Sequence, residues 1–364
     1  MSFGKTIKKL RRERDMTQEQ LAEILSISPQ AVSRWETDAA MPDISLLAPL
    51  CNLFHITSDE LLGIDITRRQ QEISAICDEA DKYKNRGYLE KAREILEDGL
   101  RKYPDNCDII YNLMYVSSWQ KDVTGDRKYL EEAIKCGEKL LEHSTINHQR
   151  HGAIQVLCFS YRDVGRLDEA VKMAESMPYM AVSQEMLLSN IYSGDKAYDS
   201  KQIEAENLLQ FLSNRLFSMQ TKLDSGEMAY TPEEDAILRD KRIAFLHLFF
   251  ENGDFGFYHT HLSDTHLRQA LYYAQKEVDE KTLHHLSLAA EHAIKFITSV
   301  NEDRTSLVFR GMHRGIWCTA SSENEAASLL KKMESQVFDK VRKKEEFTKI
   351  KERLSEYVGN WQAE

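Results

Sequence analysis

The sequence predicts an all-α protein in two parts: a small N-terminal domain of five short helices, then a long array of paired helices. Three observations carry this. Leu, Glu, Lys and Ala run through every block of the 364 residues, while Pro occurs 6 times and Gly 15 times, a composition that favours helix. Over the first sixty residues, apolar positions recur at helical spacing with turn residues between the runs. Further on, Ala80, Tyr83, Gly87 and Ala92 return 78 residues later as Cys158, Tyr161, Gly165 and Ala170. A chain of this length exceeds one small domain, so two domains or a repeat array is the starting expectation.

The first helix is expected over Phe3 to Arg14, with Phe3, Ile7 and Leu10 on its apolar side. Asp15-Met16 breaks it. Thr17 caps the second helix, and Gln20 is placed to complete a capping box; Leu21, Ala22 and Leu25 form its buried stripe. Ser26-Ile27 turns the chain. Ser28 caps the third helix with Pro29 at the first position, where its missing N–H costs nothing. Val32 and Trp35 point inward. A fourth helix is expected from Ile44 to Phe54, and a short fifth from a cap at Ser58, burying Leu61 and Leu62. The tight turn between the second and third helices makes a helix-turn-helix unit.

Charge narrows the function. The net charge of −11 argues against a protein that coats nucleic acid over its whole surface. Residues 1–63 hold 7 Lys/Arg and 9 Asp/Glu, yet the first 14 residues carry six basic side chains and one acid. The positive charge is local. No signal-like or membrane-length apolar run occurs, so a cytoplasmic chain is expected. The six cysteines form no C-x-x-C pair, and most read as small buried hydrophobes of a reducing compartment.

The run "TQEQLAEILSISPQAVSRWETDAAMP" resembles the DNA-binding domain of the Xre family, the class of phage Cro and repressor proteins, from about Phe3 to Gly63. The resemblance implies a lambda-repressor-like fold and roles residue by residue. Gln18 is to contact a phosphate. The third helix is to lie in the major groove, with Ser28, Pro29, Gln30, Ser33 and Arg34 at the reading positions. The chemistry agrees: Gln suits adenine N6/N7 and Arg suits guanine O6/N7, and Gln30 and Arg34 share one helix face. Ser33 either touches DNA or is merely small. The family pattern implies that Glu36 is a structural partner of Arg11 rather than a base reader. Lys5, Lys8, Lys9 and Arg12 are candidates for phosphate contact, against the alternative of a solvated face. Asp15 and Asp38 stand where the family often has Gly, at turn positions that favour a left-handed backbone; their charge is expected to weaken non-specific affinity.

Residues 1–66 are therefore assigned to the first domain, 67–71 to a linker, and 72–364 to the repeats, with 72–178 the most repeat-like. "NRGYLEKAREIL" and "DVGRLDEAVKMA" carry the same pattern, and a third unit lies between them, with Ala133 in the place of Ala92 and an enlarged loop near Asp122–Lys128. These resemble tetratricopeptide repeats, paired helices of about 34 residues with small residues at the crossing. Pro104 closes the first unit. Ala270, Tyr273, Thr282, Leu286 and Ala289 keep the spacing later, with Glu277 in the place of the turn Gly; 181–230 and 300–364 read as helix pairs without a signature. Such a solenoid curls into a groove that takes peptides or partner helices. Asn112 is a candidate there, or an ordinary polar residue of that face.

No phosphate loop, dinucleotide fingerprint or nucleophile elbow occurs. His259, His261 and His266 do not share one face, and His285 and His292 lack a third ligand, so neither metal, cofactor nor enzyme activity is expected. The leading expectation is a transcription regulator that binds double-stranded DNA as a homodimer paired through its repeats. By analogy with peptide-sensing regulators of the same architecture, the groove takes a peptide or protein effector. The alternative is a repeat scaffold or antitoxin-like protein with a tethering DNA-binding domain.

Overall fold

Capping residues set the helix starts of the N-terminal unit. In the computed structural model, which describes residues 3–62, 66–299, 302–313 and 318–361, the first five helices are α1 (Phe3–Glu13), α2 (Gln18–Ile24), α3 (Pro29–Glu36), α4 (Leu47–Phe54) and α5 (Ser58–Leu62). Thr17 accepts from the Gln20 N–H, and Gln20 accepts from the Thr17 N–H at 2.7 Å, closing the expected capping box. Ser28 accepts from the Ala31 N–H, with Pro29 beginning α3. Helix α4 opens with a 3-10 turn over Ile44–Leu46 in place of α-helix. The cap of α5 is Thr57, one residue before the expected Ser58, because Glu60 stands three residues after Thr57 and accepts its N–H at 2.9 Å.

Phe3, Ile7, Leu21, Ala22, Leu25, Val32, Trp35, Leu50, Phe54 and Leu61 form one core. Four non-glycine residues in its turns hold left-handed backbones: Asp15, Ser26, Asp38 and His55. The chain divides by contacts into two units, Met1–Asp78 with Lys102–Pro104, and Glu79–Arg101 with Asp105–Glu364.

Residues 67–71, read from the sequence as a linker, are helical. Helix α6 runs unbroken over Ile66–Lys84. Arg68 pairs with Glu72 one turn on at 3.0 Å, and Glu72 also takes Lys102 at 2.5 Å and the Tyr103 hydroxyl. The polar run is a helix surface laced with ion pairs, which resembles a linker in composition alone. Ile64 and Asp65 lie outside the described residues.

The repeat unit follows with α7 (Leu89–Lys102), α8 (Cys107–Thr124), α9 (Arg127–His143), α10 (Asn147–Asp163) and α11 (Leu167–Glu175). The expected small residues are buried: Ala80, Ala92, Ala133 and Ala170. Gly87 and Gly165 take φ of 77° and 83° in the inter-helix turns. The enlarged loop expected near Asp122–Lys128 is absent. Helix α8 extends to Thr124, and Gly125 at φ 69° and the cap Asp126 alone separate it from α9.

Then come α12 (Gln184–Ile191), α13 (Asp195–Phe217), α14 (Pro232–Phe249), α15 (Tyr258–Gln275), α16 (Asp279–Ser299), α17 (Glu325–Met333) and α18 (Glu345–Ser355). Residues 218–231 are not helical. Ala270, Thr282, Leu286 and Ala289 are fully buried, so α15 and α16 keep the repeat geometry. Glu277 adopts φ 57° in their turn, the conformation Gly87 and Gly165 supply elsewhere. The chain after α16 returns to the first repeat: Thr319 N–H donates to Asn85 O at 3.0 Å, and the Tyr88 hydroxyl donates to Trp361 O at 2.7 Å. Gly87 is obligatory there, because a Cβ would lie 2.2 Å from the Ser321 carbonyl carbon.

Four histidines join α15 to α16. His259 and His292 face each other Nδ1 to Nδ1 at 2.8 Å, and His266 and His285 at 3.0 Å. His266 stacks on His292. In each facing pair one ring donates and the other accepts, so the two are opposite tautomers. Sequence spacing along one helix did not disclose this pairing, which crosses between two. Burial pushes the pKa of His259 and His266 down to about 3, with Lys295 and Arg304 adding to the effect at His259; burial pushes those of His285 and His292 down to about 4.

Two outcomes are expected. Glu277→Gly relieves a left-handed non-glycine residue and raises stability by about 1 kcal/mol in thermal melts. The buried histidines stay neutral in the folded chain while unfolded ones titrate near 6.5. Their contribution is complete above pH 6.5 and falls as pH drops toward the folded values. Urea midpoints should therefore decline as pH falls from about 6.5 to 5.5, where ordinary carboxylates are ionised in both states; a flat profile over that window contradicts the assignment.

Candidate nucleic-acid interface

The N-terminal unit is organised around a buried ion pair. Arg11 on α1 donates from Nε to Glu36 Oε1 at 2.5 Å and from Nη2 to Oε2 at 3.1 Å, and Glu36 closes α3. The Gln18 side-chain amide, at the start of α2, donates to the same carboxylate at 2.8 Å. Arg11 Nη1 donates to Met16 O at 2.5 Å. Three helices thus meet on one carboxylate, and Arg11 also holds the turn after α1. Burial alone would raise the Glu36 pKa, but the hydrogen bonds from Arg11 and Gln18 and the Arg11 charge outweigh it and hold the carboxyl below its ordinary value.

A second close approach fixes α1 against α3. A Cβ on Gly4 would lie 2.3 Å from Trp35 O, and the Gly4 N–H donates to Asp38 Oδ1 at 2.8 Å. Asp38 therefore engages the start of α1, where negative charge is favoured. Gly4 was not singled out in the sequence; its signal was a glycine inside an amphipathic helix facing Trp35.

With α3 fixed on its inner side, its outer side is left to solvent. Val32 is fully buried and Trp35 is 4% exposed, whereas Pro29, Gln30 and Arg34 are exposed. Ser28 is exposed, but its hydroxyl accepts from the Ala31 N–H, and Ser33 is half-buried. On α1, Lys5, Lys9 and Arg12 are exposed and Lys8 is half-buried; Lys9 pairs with Glu13 at 3.6 Å. Arg14 turns away, donating to Leu53 O and lying over the Phe54 ring.

Residues 7–61 match the helix-turn-helix family model. The N-terminal unit is an Xre-type helix-turn-helix domain. The chain is 40% identical across 63 residues to the HTH-type transcriptional activator BcrR of Enterococcus faecalis, covering 17% of this chain and 31% of BcrR. It is 38% identical across 72 residues to the HTH-type transcriptional regulator ImmR of Bacillus subtilis, covering 20% and 57%. It is 33% identical across 63 residues to the antitoxin PezA of Streptococcus pneumoniae, covering 17% and 40%. The chain thus spans about a third to somewhat over half of the length of these relatives. Among solved structures, Bacillus thuringiensis PlcR, in complex with the peptide PapR7 and DNA, aligns over 80% of this chain and 94% of its own at 15% identity and a TM-score of 0.30. Apo ComR from Streptococcus vestibularis aligns over 80% and 91% at 14% identity and 0.26.

Beyond the helix-turn-helix domain, Asn112 is half-buried on α8. Its Nδ2 donates to Asp108 O at 3.1 Å and its Oδ1 accepts from Lys84 at 3.3 Å. Tyr111 packs edge-on against Tyr115 and His148, and Gly152 leaves room for both tyrosines. Among the described residues, no group of three or more His, Cys, Asp and Glu could hold a metal ion, and no helix is long and apolar enough to cross a membrane. Of the six free cysteines, Cys136 alone is buried, four are half-buried and Cys318 is exposed.

Glu36→Gln leaves Arg11 as an uncompensated buried cation and should cost about 3–5 kcal/mol in chemical unfolding of the domain. The native pair's contribution is complete above pH 4.5, the ordinary value, and is lost as pH falls through the lower folded value. The substitution should remove that acid-sensitive part of the profile.

Proposed function

We propose that the chain is a sequence-specific transcription regulator whose α3 lies in the major groove of double-stranded DNA. Gln30 reads adenine through its amide and Arg34 reads guanine through its guanidinium. Ser28, Pro29 and Ser33 line the same approach. Phosphates on either side go to Gln18 at the start of α2 and to Lys5, Lys8, Lys9 and Arg12 on α1. One observation carries the reading most. Gln30 and Arg34 are exposed together on a helix whose opposite side is held by Val32, Trp35 and the Arg11–Glu36 pair. BcrR and ImmR, to which the chain is similar across 63 and 72 residues, are a transcriptional activator and a transcriptional regulator.

A single reading helix gives little contact, so the working form is a dimer on two half-sites about 34 Å apart. The protein acts in the cytoplasm, without catalysis. The repeat domain pairs the two copies. It also receives a peptide or protein effector beside Lys84, Tyr111, Asn112 and Tyr115, where a cation, an amide and two aromatic rings suit an extended peptide. A second reading, a scaffold or antitoxin-like protein tethered by its DNA domain, draws on the similarity to the antitoxin PezA.

Selection from random duplexes at fixed salt separates the two. The regulator yields a two-fold symmetric motif, and Gln30→Ala and Arg34→Ala each cost about 1–3 kcal/mol at the cognate site. No enriched motif, or a motif unchanged in the double variant, counts against the regulator and leaves the scaffold.

A further inference from the structure

Helix α13 is amphipathic in the reverse sense. Its inward side carries Gln202, Glu206 and Ser213, none more than 6% exposed, beside Leu209. Its outward side carries Leu208, Phe211 and Leu212 at 42%, 60% and 46% exposure. These three sit at i, i+3 and i+4, one stripe of the helix. Glu204 precedes Leu208 by one turn on that stripe, and Arg215 follows Phe211 by one turn. Neither forms an ion pair within the chain among the described residues. Helix α12 packs on α13 and adds Leu187 and Ile191, and the segment before it adds Tyr179 and Met180, all more than half exposed. Together these seven side chains expose on the order of 800 Å², comparable with what each partner brings to a standard interface.

We infer that a second copy of this chain covers this face, with the two α13 helices antiparallel about a two-fold axis that passes between Leu209 and Gln210. The inference rests on the dimeric reading above and assigns it a surface. The order of residues on the stripe selects the occupant and its direction. Glu204, Leu208, Phe211 and Arg215 are spaced four, three and four, the seam of two packed helices. Acid stands at one end, base at the other, and apolar residues between. Antiparallel self-pairing sets Leu208 against the partner's Phe211 and Glu204 against the partner's Arg215. Two-fold symmetry repeats both contacts. A parallel pairing would oppose acid to acid and base to base.

The test is the mass of the full chain in solution, by sedimentation or light scattering at micromolar concentration. The wild type should be a dimer. Phe211→Asp should be monomeric with unchanged helical circular dichroism, since the position is exposed. Glu204→Arg and Arg215→Glu should each weaken the dimer roughly tenfold by opposing like charges twice. The doubly swapped chain should recover wild-type affinity. A monomeric wild type, or a dimer indifferent to Phe211→Asp, overturns the interface; a double swap as weak as either single one overturns the antiparallel pairing. DNA selection on the same samples keeps the two readings apart. A dimer that obeys the swap and selects no motif supports the interface and fails the regulator.

Discussion

The N-terminal domain depends on one carboxylate out of water. Glu36 binds the Arg11 guanidinium through both oxygens and accepts the Gln18 amide as well. A charge in that position is tolerable only because each oxygen is engaged. The geometry it enforces is more informative than the energy it supplies. Helices α1, α2 and α3 cannot slide or rotate without breaking bonds to a buried charge. The outer side of α3 is therefore presented at a fixed angle to the start of α2. Apolar packing by Val32 and Trp35 alone would hold the helix with less angular definition. Gly4 and Asp38 add a second fixed point at the other end of the same contact.

Much of this was legible in sequence because the signals are local. The capping box of α2, the Ser28-Pro29 start of α3 and the left-handed turns at Asp15 and Asp38 each depend on residues within a few positions of one another. The Arg11–Glu36 partnership came from the family pattern. What escaped was non-local or competitive. Thr57 and Ser58 can both cap, and the box acid decides between them. The run 67–71 has the composition of a linker, but its charges pair along and beside a helix. The facing histidines of α15 and α16 depend on which turns of two helices meet, which spacing along either one does not contain.

The repeat domain shows how small residues and turns can preserve a geometry after the signature fades. Ala270 and Ala289 keep the close crossing of α15 and α16 without a turn glycine, at the expense of a strained Glu277. Helix α13 departs further. It buries amide, carboxyl and hydroxyl groups and exposes leucine and phenylalanine. A helix inside a continuous stack would have the reverse pattern.

The return of the chain onto the first repeat has a consequence in time. Asn85 meets Cys318 across 233 residues of sequence, and Tyr88 meets Trp361 across 273. During synthesis at about 5–20 residues per second, the turn at Gly87 leaves the ribosome roughly 10–50 s before its partners exist. The helix-turn-helix domain draws almost all its contacts from the first 78 residues and has no such wait. The nascent chain thus carries a folded N-terminal domain well before the helical domain is closed, because residues 318–361 complete the first repeat.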